Sequence, residues 1–403
     1  MRICFIVPCD LSQESGGKTH TLEFAENWSS FGHEVFLLAR GLENKNNAFV
    51  YVNVPVISIR YLRELSFAVA SAIMLVILHC RFHFDVIYQR LSVFDWSILT
   101  GRLFRVPLVA ELNDLPFSEV YKKRMLQERT PYKRFMFGCV RIFLKFNEFL
   151  ILKSCWRFVG TTQNIKGIES YPSIEDRIVF VPFAANTQLF RPIEKPLCRE
   201  QIGVSQDVKL ICFVGSFLPW QGIEDIIEAF SLAVRRIPHI KLLIIGDINP
   251  ESKGGPKLKR NLVTMIKRLG LESKVIFAGR VPYERVPIYI NASDVCIVAQ
   301  TRSGYSPLKL FEYMACGKPL VATDVDGIRE VVRESNCGVL VPPQDTVKLA
   351  DAILKLLKNA NLMTRFGQNG LRCVTEKYTW ESLARKTLEV CDEATQQTSI
   401  RMS

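Results

Sequence analysis

The sequence lacks the cysteine arrangements that mark disulfide-stapled domains and zinc sites. Its 12 cysteines are scattered from Cys4 to Cys391, and no two of them form a CxxC pair. Their spacing to His33 or His239 does not match a zinc ligand set. We therefore expect reduced thiols, a cytoplasmic protein and no bound metal.

Long apolar runs and a secretory leader are also missing. The longest uncharged stretch, 65–80, is shorter than the roughly 20 residues needed to cross a bilayer. The apolar start at 1–8 is too short for the core of a signal peptide. We predict a buried first strand there, and a buried or surface-lying helix at 65–80.

Composition narrows the class of protein and its partners. The chain has 403 residues, 48% of them hydrophobic and 23% charged, so an ordered protein with two domains is expected. The net charge of +12 favours an anionic partner. Composition leaves open whether that partner is nucleic acid, an acidic membrane or a phosphorylated substrate.

Short β-branched segments alternate with helix-period segments along almost the whole chain. This order is typical of α/β domains with helices on both faces of a parallel sheet, so two doubly wound, Rossmann-like domains are predicted. The expected division is a first domain at 1–190, a proline-containing and charged linker at 191–206, a second domain at 207–378 and a last helix at 379–403 that packs back on the first domain. The predicted strands are 2–7, 34–39, 54–59, 85–88, 107–111, 157–160 and 178–181, then 208–214, 240–245, 275–278, 294–299, 319–323 and 338–341.

Two glycine-containing loops follow predicted strands, where ligands bind in doubly wound sheets. Gly16 and Gly17 precede the first helix, where backbone N–H groups can approach an anion, although a tight turn explains the pair equally well. The loop from Gly215 to Gly222 follows strand 208–214 and permits the same close approach. An ordinary strand-to-helix connection is the alternative for this second loop.

The segment 301–319 carries the most informative pattern. Ser306 and Pro307 suit the N-cap and first position of a helix that stops near Gly317. Lys309 and Glu312 lie three residues apart and so share one face near the positive end of that helix. The cation can meet a diphosphate and the carboxylate can accept ribose hydroxyl hydrogens, whereas the alternative is a surface Lys–Glu pair.

The stretch from Ser306 to Ala322, SPLKLFEYMACGKPLVA, closely resembles the donor-binding motif of the family-four glycosyltransferases, which have the GT-B fold. Shorter similar segments follow in the family's order along nearly the whole chain. They are Gly16-Gly17, Gly32-His33-Glu34-Val35, Val214-Gly215-Ser216-Phe217 with Gly222, Gly246-Asp247, Gly327 to Val332, Gly338 to Pro343 and Tyr378 to Glu381.

This resemblance implies a retaining hexosyltransferase with its active site in the cleft between the domains. The first domain would bind the acceptor and the second a nucleotide sugar, with Glu312 on the ribose and the Gly16-Gly17 loop near the diphosphate. No cofactor or metal is expected, because backbone N–H groups, helix ends and Lys309 can stabilise the leaving diphosphate. The residues assigned to the donor site are Gly16, Gly17, Gly215, Ser216, Gln221, Gly304, Tyr305, Ser306, Pro307, Leu308, Lys309 and Glu312, and those assigned to catalysis are Lys309, Asn113 and Asp114.

The chain departs from the family pattern at several of these positions. Gly304 replaces the first of two glutamates that are separated by seven residues, and Ser216 and Gln221 replace an arginine and a lysine that often contact the diphosphate. We expect Lys309 to compensate, with help from Arg280 or Arg302. Asn113 and Asp114 stand where the family usually has a histidine near the sugar, and either a sugar contact or an Asx-turn explains them.

Positive charge is concentrated in the segment 121–157, which has ten lysines and arginines against Glu128 and Glu148. Arg134, Arg141, Lys145 and Glu148 recur at helical spacing, and aromatic and aliphatic residues cover the rest of the circumference. Such a helix either lies on an anionic membrane beside a lipid-linked acceptor or packs its apolar side inside the first domain. No nucleic-acid motif is present, so a nucleic-acid partner is not expected.

Other functions fit the same architecture. A nucleotide-sugar epimerase or a sugar phosphorylase would use similar phosphate-binding loops. A non-catalytic nucleotide-sugar-binding subunit is conceivable because of Gly304, Ser216 and Gln221. The sequence does not fix the nucleotide, the sugar, the acceptor or the oligomeric state.

Overall fold

The computed structural model divides the chain into two compact units. The first contains Met1–Pro182 and the C-terminal stretch from Trp380, and the second contains Phe183–Thr379. The structure describes residues 1–12, 15–42, 48–57, 59, 62–92, 94–112, 122, 125–126, 128, 130–161, 172–248, 255–303 and 306–402.

The first unit is built on a seven-stranded parallel sheet with the strand order β3-β2-β1-β4-β5-β6-β7. Its strands are β1 (Arg2–Asp10), β2 (Glu34–Arg40), β3 (Val50–Asn53), β4 (Val86–Arg90), β5 (Leu108–Leu112), β6 (Arg157–Gly160) and β7 (Ile178–Phe180). The first four described helices are α1 (Gly16–Ser30), α2 (Arg63–Phe82), α3 (Ser97–Phe104) and α4 (Pro131–Ser154).

The second unit has a six-stranded parallel sheet with the strand order β10-β9-β8-β11-β12-β13. Its strands are β8 (Lys209–Val214), β9 (Ile240–Ile245), β10 (Val275–Gly279), β11 (Val295–Val298), β12 (Leu320–Thr323) and β13 (Gly338–Val341). Its helices are α5 (Lys195–Gln201), α6 (Ile223–Val234), α7 (Gly255–Arg268), α8 (Val286–Ala292), α9 (Leu308–Ala315), α10 (Arg329–Ser335), α11 (Thr346–Leu357) and α12 (Ala360–Lys377).

The last helix, α13 (Trp380–Met402), belongs to the first unit and packs on α1. The indole N–H of Trp28 donates to the Ala384 carbonyl at 3.2 Å and lies 3.1 Å from the Thr387 hydroxyl. Helices α2, α3 and α4 contribute to a different core, in which Phe67, Ile98 and Ile151 pack with residues of the sheet. The sheet of the first unit is therefore covered on both faces, as the alternating sequence pattern predicts.

The predicted doubly wound fold is confirmed, with one strand misplaced. The third strand runs from Val50 to Asn53 beside Phe36–Ala39 of β2, whereas the sequence pattern predicts 54–59. Pro55 has no N–H to donate to a ladder, and Ile57 and Ile59 are exposed. The β-branched residues of that segment therefore follow the strand instead of forming it.

The expected linker at 191–206 is wrong, because this segment is part of the second unit and contains α5. The buried Arg199 guanidinium donates to the Asp294 carboxylate at 2.8 Å and to the Ala292 carbonyl at 3.0 Å. Proline and charge at this position therefore mark the start of a helix, with Pro196 in its first turn.

Helix α2 is longer than the uncharged run 65–80 suggests. It has 20 residues, and by length and composition it is apolar enough to cross a membrane, the one such helix in the described part of the chain. Phe67, Ala68, Ser71 and Leu75 pack into the first unit, while 22% of its most apolar window is buried. The uncharged run is shorter than the helix because the helix also includes charged residues at its ends.

Candidate functional site

Lys309 joins two of the sequence segments that were predicted to bind an anion. Its ammonium donates to the Gln221 side-chain oxygen at 2.6 Å and lies 4.1 Å from the centre of the Phe213 ring. A Cβ atom on Gly215 would lie 2.7 Å from Lys309 Nζ, so the lysine covers the start of the β8 loop. Lys309 is 7% exposed. The first turn of α9 thus places a buried cation against the loop that follows β8.

Glu312 lies one turn further along α9 and is also buried. The Tyr283 hydroxyl donates to Glu312 Oε1 at 3.0 Å, which fixes one carboxylate oxygen and leaves the other available to a ligand. Tyr283 is itself packed against Phe190, with ring centres 5.2 Å apart. The Glu312 carboxylate is therefore positioned by Tyr283. This contact could not be inferred from the residues around Glu312, because Tyr283 is distant in sequence.

Burial shifts the protonation of both charged groups. Desolvation lowers the pKa of Lys309 to about 7, although the nearby Glu312 carboxylate favours the charged amine. Desolvation raises the pKa of Glu312 to about 7, opposed by the hydrogen bond from Tyr283 and by Lys309. Both groups are thus poised to respond to a charged ligand near neutral pH.

Three glycines let the backbone of this region approach closely. Gly222 has a φ of +67°, and a Cβ atom there would lie 2.0 Å from the Ala299 carbonyl oxygen at the end of β11. Gly246 has a φ of +118°, and a Cβ atom there would lie 2.2 Å from the Gly215 carbonyl oxygen. The glycines that the sequence suggested for phosphate contact also have a packing role in the second unit.

Replacing Gly222 with alanine is expected to destabilise the protein by more than the roughly 1–2 kcal/mol that a left-handed conformation costs a non-glycine residue. Gly203→Ala is the matched control, because Gly203 has a φ of +68° and a Cβ atom there would meet no other atom within 4 Å. Denaturant unfolding of both variants separates the clash from the conformational cost. Equal losses of unfolding free energy would show that the Ala299 contact is unimportant.

The start of α9 differs from the sequence prediction. The helix begins at Leu308 with Pro307 at the N-cap, and no side chain caps it. The Ser306 hydroxyl instead donates to the Gly327 carbonyl at 2.5 Å and is fully buried. Ser306 as the N-cap is therefore wrong, because the backbone of Pro307 is still extended, with φ −75° and ψ 139°, and the helix begins after it. Gly304 and Tyr305 lie outside the described residues.

Ser216 and Gln221, two of the positions that depart from the family pattern, differ in burial. Ser216 is exposed, whereas Gln221 is buried and accepts the Lys309 hydrogen bond. Arg302 lies over the Trp220 ring at 6.0 Å, and Arg280 donates to the Ile248 carbonyl at 2.8 Å. Both arginines are exposed and are held beside the loops that follow β8 and β9.

In the first unit, Gly16 and Gly17 form the first turn of α1, which Ser15 caps by accepting from the Lys18 N–H at 3.2 Å. Arg90, at the carboxyl end of the neighbouring strand β4, lies beside them. Its Nη1 atom would be 3.3 Å from a Cβ on Gly17 and has no hydrogen-bond partner among the described residues. The buried Glu111 carboxylate lies 3.6 Å from Arg90 Nε.

Arg90 is a candidate residue that the sequence reasoning missed. The available signal was its position, since β4 pairs with β1 and the carboxyl ends of both strands meet at one edge of the sheet. Asn113 and Asp114, which follow β5 at the same edge, lie outside the described residues. Among the described residues, no group of three His, Cys, Asp or Glu side chains is placed to hold a metal ion.

Comparison with known proteins identifies the family. Two family models match the chain in succession, Glycosyltransferase Family 4 over residues 15–188 and Glycosyl transferases group 1 over residues 194–372. The chain belongs to the group 1 glycosyltransferases. The second match contains the whole Lys309 and Glu312 region, and the first contains Gly16, Gly17 and Arg90.

Several proteins similar to this chain have names or solved structures. N-acetyl-alpha-D-glucosaminyl L-malate synthase of Bacillus anthracis is 28% identical over 185 residues, which cover 46% of this chain and 45% of the relative. The chain spans about half the length of the first curated relatives that it matches.

The solved structures show the fold. Sucrose-phosphate synthase from Thermosynechococcus elongatus has a TM-score of 0.77 at 20% identity, covering 97% of this chain and 98% of its own. Anabaena HepE, solved in complex with UDP, has a TM-score of 0.74 at 18% identity, covering 98% of this chain and 100% of its own. The chain therefore has the two Rossmann-like domains of the GT-B fold, as predicted.

Proposed function

We propose that the protein transfers a sugar from a nucleotide-sugar donor to an acceptor with retention of anomeric configuration. The observation that carries this proposal is the buried pair of Lys309 and Glu312, held on α9 beside the glycine-containing loop after β8. HepE, which has the same fold, was solved with UDP. Retention is proposed from the resemblance of the segment 306–322 to the family motif.

Each buried group has a defined role in this proposal. Lys309 stabilises the negative charge that grows on the leaving diphosphate, and it exchanges its Gln221 contact for a phosphate oxygen. Glu312 accepts hydrogen bonds from the ribose hydroxyls while Tyr283 holds its other oxygen. Because the amine and the backbone N–H groups supply this stabilisation, the proposed reaction uses no metal ion.

The pH dependence of kcat/KM is expected to be bell-shaped and centred near pH 7. Glu312 must be ionised, so activity falls as the pH drops below its raised pKa of about 7. Lys309 must be protonated, so activity falls as the pH rises above its lowered pKa of about 7. A profile that stays flat between about pH 5.5 and pH 8.5 would contradict these roles.

We further propose a lipid-linked saccharide or glycolipid as the acceptor, reached by an enzyme bound peripherally to the cytoplasmic face of a membrane. Helix α4 supports this proposal, because Phe135, Ile142, Phe146 and Phe149 are between 57% and 72% exposed. The alternative, in which its apolar side packs inside the domain, fails for these residues. The buried face of α4 is instead formed by Leu144, Asn147, Glu148, Ile151 and Leu152.

A transfer assay tests the proposal. Labelled UDP, GDP or ADP sugars are incubated with the protein and membrane lipids in the presence of EDTA, and label is followed into the organic phase. Proton NMR of the purified product then gives the anomeric configuration. Transfer with retention supports the proposal. Epimerised donor without transfer would identify an epimerase, and an intact donor under all conditions would favour a binding subunit.

A further inference from the structure

A basic cavity lies in the first unit at the amino ends of β5 and β6, the edge of the sheet opposite to Gly17 and Arg90. Its volume is about 860 Å³. Helices α3, α4 and α13 all contribute to its wall. The lining includes five basic side chains and no acidic one, namely Arg102, Arg105, Lys153, Arg157 and Arg177.

The five cations differ in how they are engaged. Arg177 donates to the carbonyls of Leu152 and Cys155, and Arg157 lies 3.6 Å from the Glu393 carboxylate. In contrast, the exposed Arg102, Arg105 and Lys153 form no ion pair with an acidic side chain in the described part of the chain. The cavity thus keeps positive charge that no described carboxylate neutralises.

An exposed apolar stripe on α4 leads to this cavity. Its residues recur at intervals of three and four, which places them on one face of the helix. The stripe consists of Phe135, Cys139, Ile142, Phe146 and Phe149, and Lys153 comes next on the same face. Lys153 Nζ lies 5.8 Å from the centre of the Phe149 ring. The apolar stripe therefore ends directly at a cation of the cavity.

Helix α3 repeats this combination. Leu99 and Leu103 are 53% and 74% exposed, and Arg102 lies between them in sequence. Helices α3 and α4 contact each other, and both bury one face in the same core. Their exposed residues, on the faces turned away from that core, therefore belong to one outer layer. Apolar side chains beside unneutralised cations match the two parts of an anionic phospholipid, its acyl chains and its phosphate.

We propose that the cavity binds the phosphate of an anionic phospholipid through Arg102, Arg105 and Lys153, while the α4 stripe enters the surrounding bilayer interface. This inference deepens the proposed function, since it rests on the membrane location and names the lipid contact. The site lies at the opposite sheet edge from Gly17, so its ligand is distinct from a donor diphosphate near that loop.

The test compares two variants with the same loss of charge. In the cavity variant Arg102→Gln is combined with Lys153→Gln, and in the control variant Lys133→Gln is combined with Arg134→Gln at the other end of α4. Binding to phosphatidylcholine vesicles with and without phosphatidylglycerol is measured by co-sedimentation. Calorimetry measures binding of dihexanoyl-phosphatidylglycerol, below its critical micelle concentration, and of inorganic phosphate. Because neither ligand forms a charged membrane surface, this measurement reports binding to the cavity itself.

The wild type and the control variant are expected to bind one short-chain lipid, and the cavity variant to lose this binding at least tenfold. Its affinity for anionic vesicles should also fall further than that of the control variant. Equal losses of lipid and vesicle affinity in both variants would overturn the headgroup site. They would indicate a diffuse electrostatic attraction between the basic protein and the anionic surface instead. Inorganic phosphate bound as tightly as the lipid would assign the cavity to a soluble phosphate instead.

Nucleotide-sugar stabilisation of both variants separates this inference from the proposed function. An unchanged thermal shift with donor shows that the variants are folded and that the donor site is intact. Vesicle binding that is absent even in the wild type would overturn the membrane location and the cavity proposal together. It would leave the donor-site proposal untouched.

Discussion

Replacing Lys309 with methionine is expected to lower kcat for sugar transfer by about 100- to 1000-fold, the range found when one group that stabilises a developing oxyanion is removed. Methionine has nearly the volume of the lysine stem and can pack against Phe213, so the fold should persist. The loss is expected in kcat as well as in donor binding, because the leaving diphosphate carries more negative charge in the transition state than in the bound donor.

The exposed Lys348 of α11 is the matched control, since it pairs with Asp345 on the surface of the same unit. Lys348→Met should leave kcat within a factor of about two of the wild type. Steady-state kinetics, together with thermal unfolding, separate the two explanations for any loss. A Lys309→Met protein with wild-type kcat per folded molecule would remove the lysine from the reaction.

Replacing Glu312 with glutamine is expected to weaken nucleotide-sugar binding at least tenfold, because a hydrogen bond to a charged group typically contributes about 1.5–3 kcal/mol. The change keeps the shape of the side chain and its contact with Tyr283. It should also abolish the acidic limb of the kcat/KM profile, since the amide does not titrate. The measurement is donor affinity by calorimetry, followed by kcat/KM as a function of pH.

Glu334→Gln is a matched control for this variant. Glu334 of α10 accepts from the Tyr378 hydroxyl at 2.7 Å, as Glu312 accepts from Tyr283. We expect the Glu334→Gln protein to have the donor affinity of the wild type and the same acidic limb in its kcat/KM profile. If both variants lose donor affinity equally, the effect comes from general destabilisation of the second unit.

The fold could be predicted from the sequence because its signal is local. Strands 157–160, 240–245 and 338–341 have the bounds that their apolar runs predict, since a buried parallel strand is apolar on both faces. Errors occurred where local pattern and tertiary environment conflict. The segment 54–59 is β-branched but contains Pro55, and the linker sequence at 191–206 forms α5 because Arg199 finds Asp294 far along the chain.

The site could be predicted in its residue types and less well in its contacts. Spacing alone put Lys309 and Glu312 on one face, but their partners Gln221 and Tyr283 come from distant loops. On α4 the sequence suggested a polar face that included Glu148, whereas Glu148 is buried and aromatic residues are exposed. Which face of an amphipathic helix is buried depends on the sheet beneath it, and spacing does not encode that choice.

The most direct test of the donor site is thermal unfolding of the wild type and of Glu312→Gln with UDP, GDP and ADP sugars. A ligand present at 100 times its Kd stabilises the folded state by about 2.7 kcal/mol, which raises the Tm by several degrees. We predict that one class of nucleotide sugar stabilises the wild type and that the shift largely disappears in Glu312→Gln. No shift with any nucleotide sugar, or the same shift in both proteins, would contradict a donor site built on α9.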